Sequence, residues 1–201
     1  MDHAQSAEAV KIAADSGCYD SIMVDMSHYE KEENLAKTTD LTKYCHERGI
    51  AVEAEPGRIE GGEDGVSDTG ELEAMMTDED EAKRFVDTGI DWLAPAFGNV
   101  HGNYGPRGIQ LDYDRLNGLN KAVGKEVRFV LHGTDGFDEK ILGKCIQGGM
   151  VKVNINRAVN NHWVAAVKEK GTLTGLIEKA TENMQKEVEW WCTVLGSENK
   201  A

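Results

Sequence analysis

The chain has 201 residues, 40% of them hydrophobic, which suits one domain with a sizeable core, since a domain of this size buries roughly 70% of its surface. With 36 acidic against 22 basic residues the formal charge is −14, and no basic stripe is present to hold nucleic acid or an anionic membrane. No apolar run approaches the roughly 20 residues of a membrane span and no signal-peptide pattern opens the chain, so a soluble cytoplasmic protein is expected.

Met1-Asp2-His3 reads as the end of a strand. Apolar spacing from Ala4 to Asp15 and from Lys31 to Glu47 predicts helices, each followed by a β-branched run, Ser21 to Met26 and Ile50 to Glu55. From Pro56 to Met76 the text is acidic and glycine-rich without a hydrophobic period, which predicts a mobile active-site loop over 56–76. Thr77 is then expected to cap a helix with Asp80 at its third position. A strand follows from about Asp91, ending in Gly98-Asn99-Val100-His101-Gly102.

Further helices fit Tyr113 to Val123, Asp138 to Gln147 and Asn156 to Lys170, with strands Val127 to His132 and Met150 to Ile155 between them. From Leu173, the positions Leu176, Ile177, Ala180, Met184, Val188, Trp191 and Leu195 form one helical stripe, a C-terminal helix over 173–195. Trp190 and Trp191 on it suggest a contact with a second copy. Cys18, Cys45, Cys145 and Cys192 lie far apart with no C-x-x-C pair, so they read as structural thiols in a reducing compartment.

The repeat is helix then strand, five αβ units and one orphan strand end. This predicts an α/β fold of the (β/α)8 TIM-barrel family, here the last five βα units plus the end of the third strand, in a single domain over 1–201. A complete barrel takes about 250 residues, so an N-terminally incomplete barrel is expected.

His3, His101 and His132 each stand at the C-terminal end of a predicted strand, the rim where such barrels build their sites. Three imidazoles hold a zinc ion and leave one position open for a substrate. Asp2, at the same strand tip as His3, is a candidate proton carrier, with a helix N-cap as its ordinary alternative. Glu53 and Glu55 share one face of their strand, and Glu55, nearer the tip, is the better metal or supporting contact. The glycine- and asparagine-rich strand tips at Gly102, Gly133-Thr134-Asp135-Gly136 and Asn154-Ile155-Asn156-Arg157 suit a phosphate held by backbone N–H groups. His28, His46 and His162 lack this context.

These strings, with Val24-Asp25-Met26-Ser27, Val52-Glu53-Ala54-Glu55, Gly61-Gly62-Glu63-Asp64-Gly65 and Lys152-Val153-Asn154-Ile155, resemble the class II, metal-dependent fructose-bisphosphate aldolase family and its tagatose-bisphosphate relatives. The resemblance spans nearly the whole chain. It implies a lyase that cleaves a ketose bisphosphate, fructose 1,6-bisphosphate first, in a reversible aldol reaction, with a phosphorylated sugar as its small-molecule partner; the C-terminal helix, separately, suggests a homodimer or higher homo-oligomer. The resemblance implies zinc on His3, His101 and His132, Glu55 at an alternative metal position, Asp2 as proton carrier and Glu63 as the group assisting proton exchange. Gly102, Gly133, Asp135, Asn154, Asn156 and Arg157 match substrate-contacting positions, and Gly102 and Gly133 flank a monovalent-cation site for Na⁺ or K⁺.

The chain departs from the family pattern where serine gives way to Asp135, threonine to Arg157, a frequent lysine to Gly105 and leucine to Pro56. Asp135 and Arg157 could pair and reshape the pocket. Three other readings are open: a Schiff-base aldolase using Lys152, a zinc hydrolase with Asp2 or Glu63 as base, and a non-catalytic barrel that keeps the zinc ligands.

Overall fold

The computed structural model describes residues 1–59, 61–66 and 75–200, with 61–66 as backbone only. Five strands, β1 (Ser21–Val24), β2 (Ala51–Ala54), β4 (Trp92–Leu93), β6 (Arg128–Leu131) and β7 (Met150–Val153), form one sheet in the order β1-β2-β4-β6-β7. Every pairing is parallel. The N-terminal segment extends the series, because Ala4 bridges Val24 in parallel and the backbones of Met1, Ala4, Met23 and Asp25 exchange hydrogen bonds.

Helices connect the strands: α1 (Ala7–Asp15), α2 (Lys31–His46), α3 (Glu79–Val86), α4 (Tyr113–Val123), α5 (Glu139–Gln147) and α6 (Arg157–Ala166), with α7 (Leu173–Val194) at the end. Consecutive parallel strands joined by crossover helices are the repeat of a (β/α) barrel, of which this sheet is an arc. Residues alternate across it with period two. Ile22, Val24, Val52, Ala54, Leu93, Phe129 and Leu131 face the helices and pack on Val10, Leu41, Cys45, Phe85, Leu116, Leu119 and Leu142. Each such side chain, fully buried, contributes roughly 1.5–3 kcal/mol. The opposite face carries a small apolar layer of Met23, Ile59, Ala94, Ala96 and Val130.

The same parity sends Glu53, His132, Lys152 and Asn154 to the inside of the arc, so the strand tips there are polar.

Several boundaries differ from the expectation. Helix α1 begins later than Ala4 because Ser6 caps it, its side chain accepting from the Ala9 N–H. Asp78, not Thr77, caps α3; Thr77 is fully buried, and its hydroxyl accepts from the Ala96 N–H. The stretch over 56–76 is not one unstructured loop, for β3 (Gly61–Val66) pairs in parallel with β5 (His101–Asn103) outside the main sheet.

On α7, Ala180 and Trp191 are buried, whereas Leu173, Ile177, Val188 and Trp190 are exposed. Trp191 therefore belongs to the core rather than to a partner contact, its indole N–H donating to Glu187. Among the described residues no helix is long and apolar enough to cross a membrane.

Candidate metal centre and active site

Two strand tips and one ribbon strand bring His3, His101 and His132 together. His3 precedes the Ala4 bridge to β1 and has φ 44°, a left-handed backbone uncommon for a side chain this large and typical of residues held by function. His101 opens β5, and His132 follows β6. Nε2 of His3 lies 3.2 Å and Nε2 of His101 3.4 Å from Nδ1 of His132.

The remaining ring nitrogens settle which of these carry protons. Nδ1 of His101 lies 3.1 Å from the Ile59 carbonyl oxygen, which only accepts, so this nitrogen donates. Nδ1 of His3 lies 2.8 Å from Asp25 Oδ2, and Nε2 of His132 lies 2.7 Å from Glu53 Oε1. Burial opposes the charge on both carboxyls. Even so, the His3 and Ser27 hydrogen bonds hold Asp25 well below the usual carboxylate range, and His132 and Lys152 hold Glu53 below it. Both are therefore acceptors, and each histidine directs N–H outward and its other nitrogen inward.

Three inward nitrogens cannot all be satisfied by one another, whereas a cation accepts all three. The donor set fits a metal, and all three atoms lie within 4.8 Å of one another. The outward carboxylate and carbonyl partners are the arrangement that fixes ring orientation in metal sites.

Burial disfavours the His3 imidazolium, but the Asp25 hydrogen bond and the charges of Glu55 and Asp2 prevail and raise its pKa to about 9, so without a metal the inward Nε2 of His3 also carries a proton at neutral pH, one that a bound metal would displace. His101 is lowered to about 4 by burial and by the charges of the other two histidines. Glu55 is 1% exposed; burial, then the Asp25 charge, push its carboxyl up to about 8. Its Oε1 accepts from the Ile59 N–H at 2.5 Å, and among the described residues its Oε2 is buried without a hydrogen bond. With His3 and Asp25 it makes a second set of converging donors.

Beside the histidines opens a cavity of about 260 Å³ lined by Asp2, Gly102, Gly133, Asp135, Asn154, Asn156 and Arg157, every expected substrate-contacting position among them. Asp2 is exposed there and accepts from Asn154 Nδ2 at 3.1 and 3.3 Å. It does not cap a helix, that role being filled by Ser6. Gly133 has φ 68°, and a Cβ on it would meet the Val100 carbonyl oxygen at 2.4 Å, so only glycine lets the β6 tip lie against the segment carrying His101. Asn99 and Tyr104 fasten the same contact by donating to the carbonyls of His132 and Gly133 at 3.0 and 2.7 Å. Asp135 and Arg157 do pair, 3.7 Å apart across the cavity wall. Arg157 is the first residue of α6, whose cap residue Asn156 makes no side-chain capping bond.

Glu63 lies on β3, but its side chain is outside the described residues. His46 and His162 pair with Asp91 and Glu187, away from this cavity. Sequence reasoning missed Asp25 and undervalued Glu53. Period-two parity does place both on the inner face. Lys152 Nζ lies 2.6 Å from Glu53 Oε2 and does not line the cavity, which weighs against the Schiff-base reading.

Comparison with known proteins shows the family and the fold. The family model for class-II fructose-bisphosphate aldolase matches residues 1–200. The chain belongs to that family. It is 56% identical, over its whole length, to a candidate fructose-bisphosphate aldolase of Coccidioides immitis, and spans 70% of that relative. A solved structure of a candidate fructose-1,6-bisphosphate aldolase from C. immitis superposes with a TM-score of 0.93 at 58% identity, over 99% of this chain and 71% of that one. The YdjI aldolase of Escherichia coli K12 superposes at 0.83 with 31% identity, over 99% and 69%. A fructose-bisphosphate aldolase of Streptococcus pyogenes is 42% identical over 78% of this chain, which spans 51% of that protein. Class II aldolases are TIM barrels, and the five-stranded arc described above is part of one.

Proposed function

We propose that this chain carries the zinc centre and proton carrier of a class II aldolase, a lyase that reversibly cleaves fructose 1,6-bisphosphate into dihydroxyacetone phosphate and glyceraldehyde 3-phosphate. The observation that carries the reading is the convergence of His3 Nε2, His101 Nε2 and His132 Nδ1, each with its other nitrogen bound to an acceptor. Those residues hold the zinc, and Glu55 serves an alternative metal position. When bound, the metal supplies a Lewis acid that polarises the ketose carbonyl.

Asp2 takes the proton of the C4 hydroxyl as the C3–C4 bond breaks, leaving the electron pair of that bond on the ketose fragment. Its carboxylate is suited to this because it is exposed at the cavity and oriented by Asn154 rather than spent on a helix cap. Glu63 assists proton exchange at C3. Gly102, Gly133, Asn154, Asn156 and Arg157 surround the phosphorylated end of the sugar, and Asp135 limits access to Arg157. Na⁺ or K⁺ near Gly102 and Gly133 belongs to the same reading. So does a cytoplasmic setting, supported by the free thiols of Cys45 and Cys145. A homodimer is supported by the exposed apolar residues Ile177, Val188 and Trp190 of α7.

The test is His101→Ala, assayed for zinc content and for fructose 1,6-bisphosphate cleavage. Loss of both is expected. Cleavage by a metal-free preparation would overturn the mechanism.

A further inference from the structure

Lys152 and Glu53 are not neighbours in the sheet. Glu53 stands on β2 and Lys152 on β7, with β4 and β6 between them, so their ion pair spans the inside of the arc. Glu53 is 2% exposed, and among the described residues each of its oxygens has a single partner, Oε1 the Nε2 of His132 at 2.7 Å and Oε2 the Nζ of Lys152 at 2.6 Å. A carboxylate gripped at both oxygens cannot rotate, and its direction fixes the imidazole that donates to it. The far nitrogen of that imidazole, Nδ1, is the one facing His3 and His101. Lys152 itself does not line the substrate cavity.

We propose that Lys152 is a positioning residue for the metal centre, acting through Glu53 to hold His132 in its ligating orientation. The inference rests on the histidine reading above. Without the ammonium, Glu53 is left as a buried carboxylate with one oxygen unpartnered, free to turn away from His132. Asn154, just past the end of β7 and on the same face as Lys152, donates to Asp2 and also lies 3.3 Å from His132 Nε2, so one strand serves both the ligand and the proton carrier. Lys152 stays out of the substrate cavity, so a change there reads on the metal rather than on substrate binding.

The experiment is chelator competition for zinc on the unaltered chain, Lys152→Met and Lys152→Arg, with cobalt absorption spectra of the substituted forms and melting of the metal-free proteins. Lys152→Met should weaken zinc binding on the order of tenfold, within the range for partners of metal-bound histidines. It should also alter the cobalt spectrum, while leaving KM for the sugar unchanged. Lys152→Arg should recover most of the affinity. In a Glu53→Gln background, Lys152→Met should add no further loss. A lower melting temperature with unchanged zinc affinity would make the pair merely structural and overturn the inference. Should Lys152→Met fail to fold, the arginine form and the Glu53→Gln pair decide the matter. Absence of zinc binding by the unaltered chain would instead overturn the histidine reading itself.

Discussion

Glu53 Oε1 meets His132 Nε2 at 2.7 Å inside the barrel arc, both side chains within 2% of complete burial. A carboxylate in that place decides which nitrogen of His132 carries the proton and therefore which one points at the other two histidines. Glu53→Gln keeps the size of the side chain but can present its amide N–H₂ instead of an acceptor. Zinc affinity should fall about 10–100-fold, measured by competition with a chelator of known strength. Unchanged affinity would mean that the backbone alone orients the ring.

Asp2 touches the cavity but none of the three inward nitrogens is its hydrogen-bond partner; Asn154 is. Asp2→Ala should therefore retain zinc and lose turnover, with kcat down on the order of 10²–10⁴. Zinc content measured beside kcat separates this from loss of the metal. Normal cleavage by the variant would remove Asp2 from the proton path.

The ion pair of Asp135 with Arg157 sets a carboxylate against the cation at the start of α6. A phosphate reaching that helix end must share the guanidinium with Asp135. The pair is partly exposed and contributes about 0–1 kcal/mol, so Asp135→Asn should lower KM for the phosphorylated sugar by up to about fivefold. Steady-state kinetics reads this directly, and a higher KM would show that Asp135 helps rather than hinders.

Away from the site, Glu81 is 8% exposed and 3.3 Å from the Lys31 ammonium, yet neither of its oxygens has a hydrogen bond among the described residues. Burial pushes its carboxyl above the usual range, against the opposing charge of Lys31. The folded chain thus holds this proton to higher pH than the unfolded chain does, so the ionised carboxylate penalises folding. The penalty is absent below the unfolded value of about 4.3 and fully present above the raised one. Glu81→Gln should raise Tm by roughly 2–4 °C at pH 8, equivalent to about 1 kcal/mol, and change it little at pH 4. Equal shifts at both pH values would contradict the burial argument.

Much of this was legible in the sequence because the signals repeat. Each ligand histidine follows a strand or opens one at the rim, and helices α2, α4 and α5 lie within a residue of the expected bounds. Glu53 and Glu55 show why the rest was not. Both obey the same parity, and which of them reaches His132 depends on how far β2 and β6 are staggered, a quantity set by the sheet and not by local pattern. Lys152 finds its partner across the arc, 99 residues away in sequence. Thr77 and Asp78 are both good caps, and burial of Thr77 against Ala96 chose between them.

The measurement that bears most directly on the central claim is a zinc titration of the chelator-stripped 201-residue chain with fructose 1,6-bisphosphate cleavage followed at each step. Cleavage should be absent without metal and rise in proportion to zinc until about one ion is bound per chain, as three histidines with one open position require. Cleavage by the stripped protein, or zinc binding that His3→Ala, His101→Ala and His132→Ala all leave intact, would contradict the account.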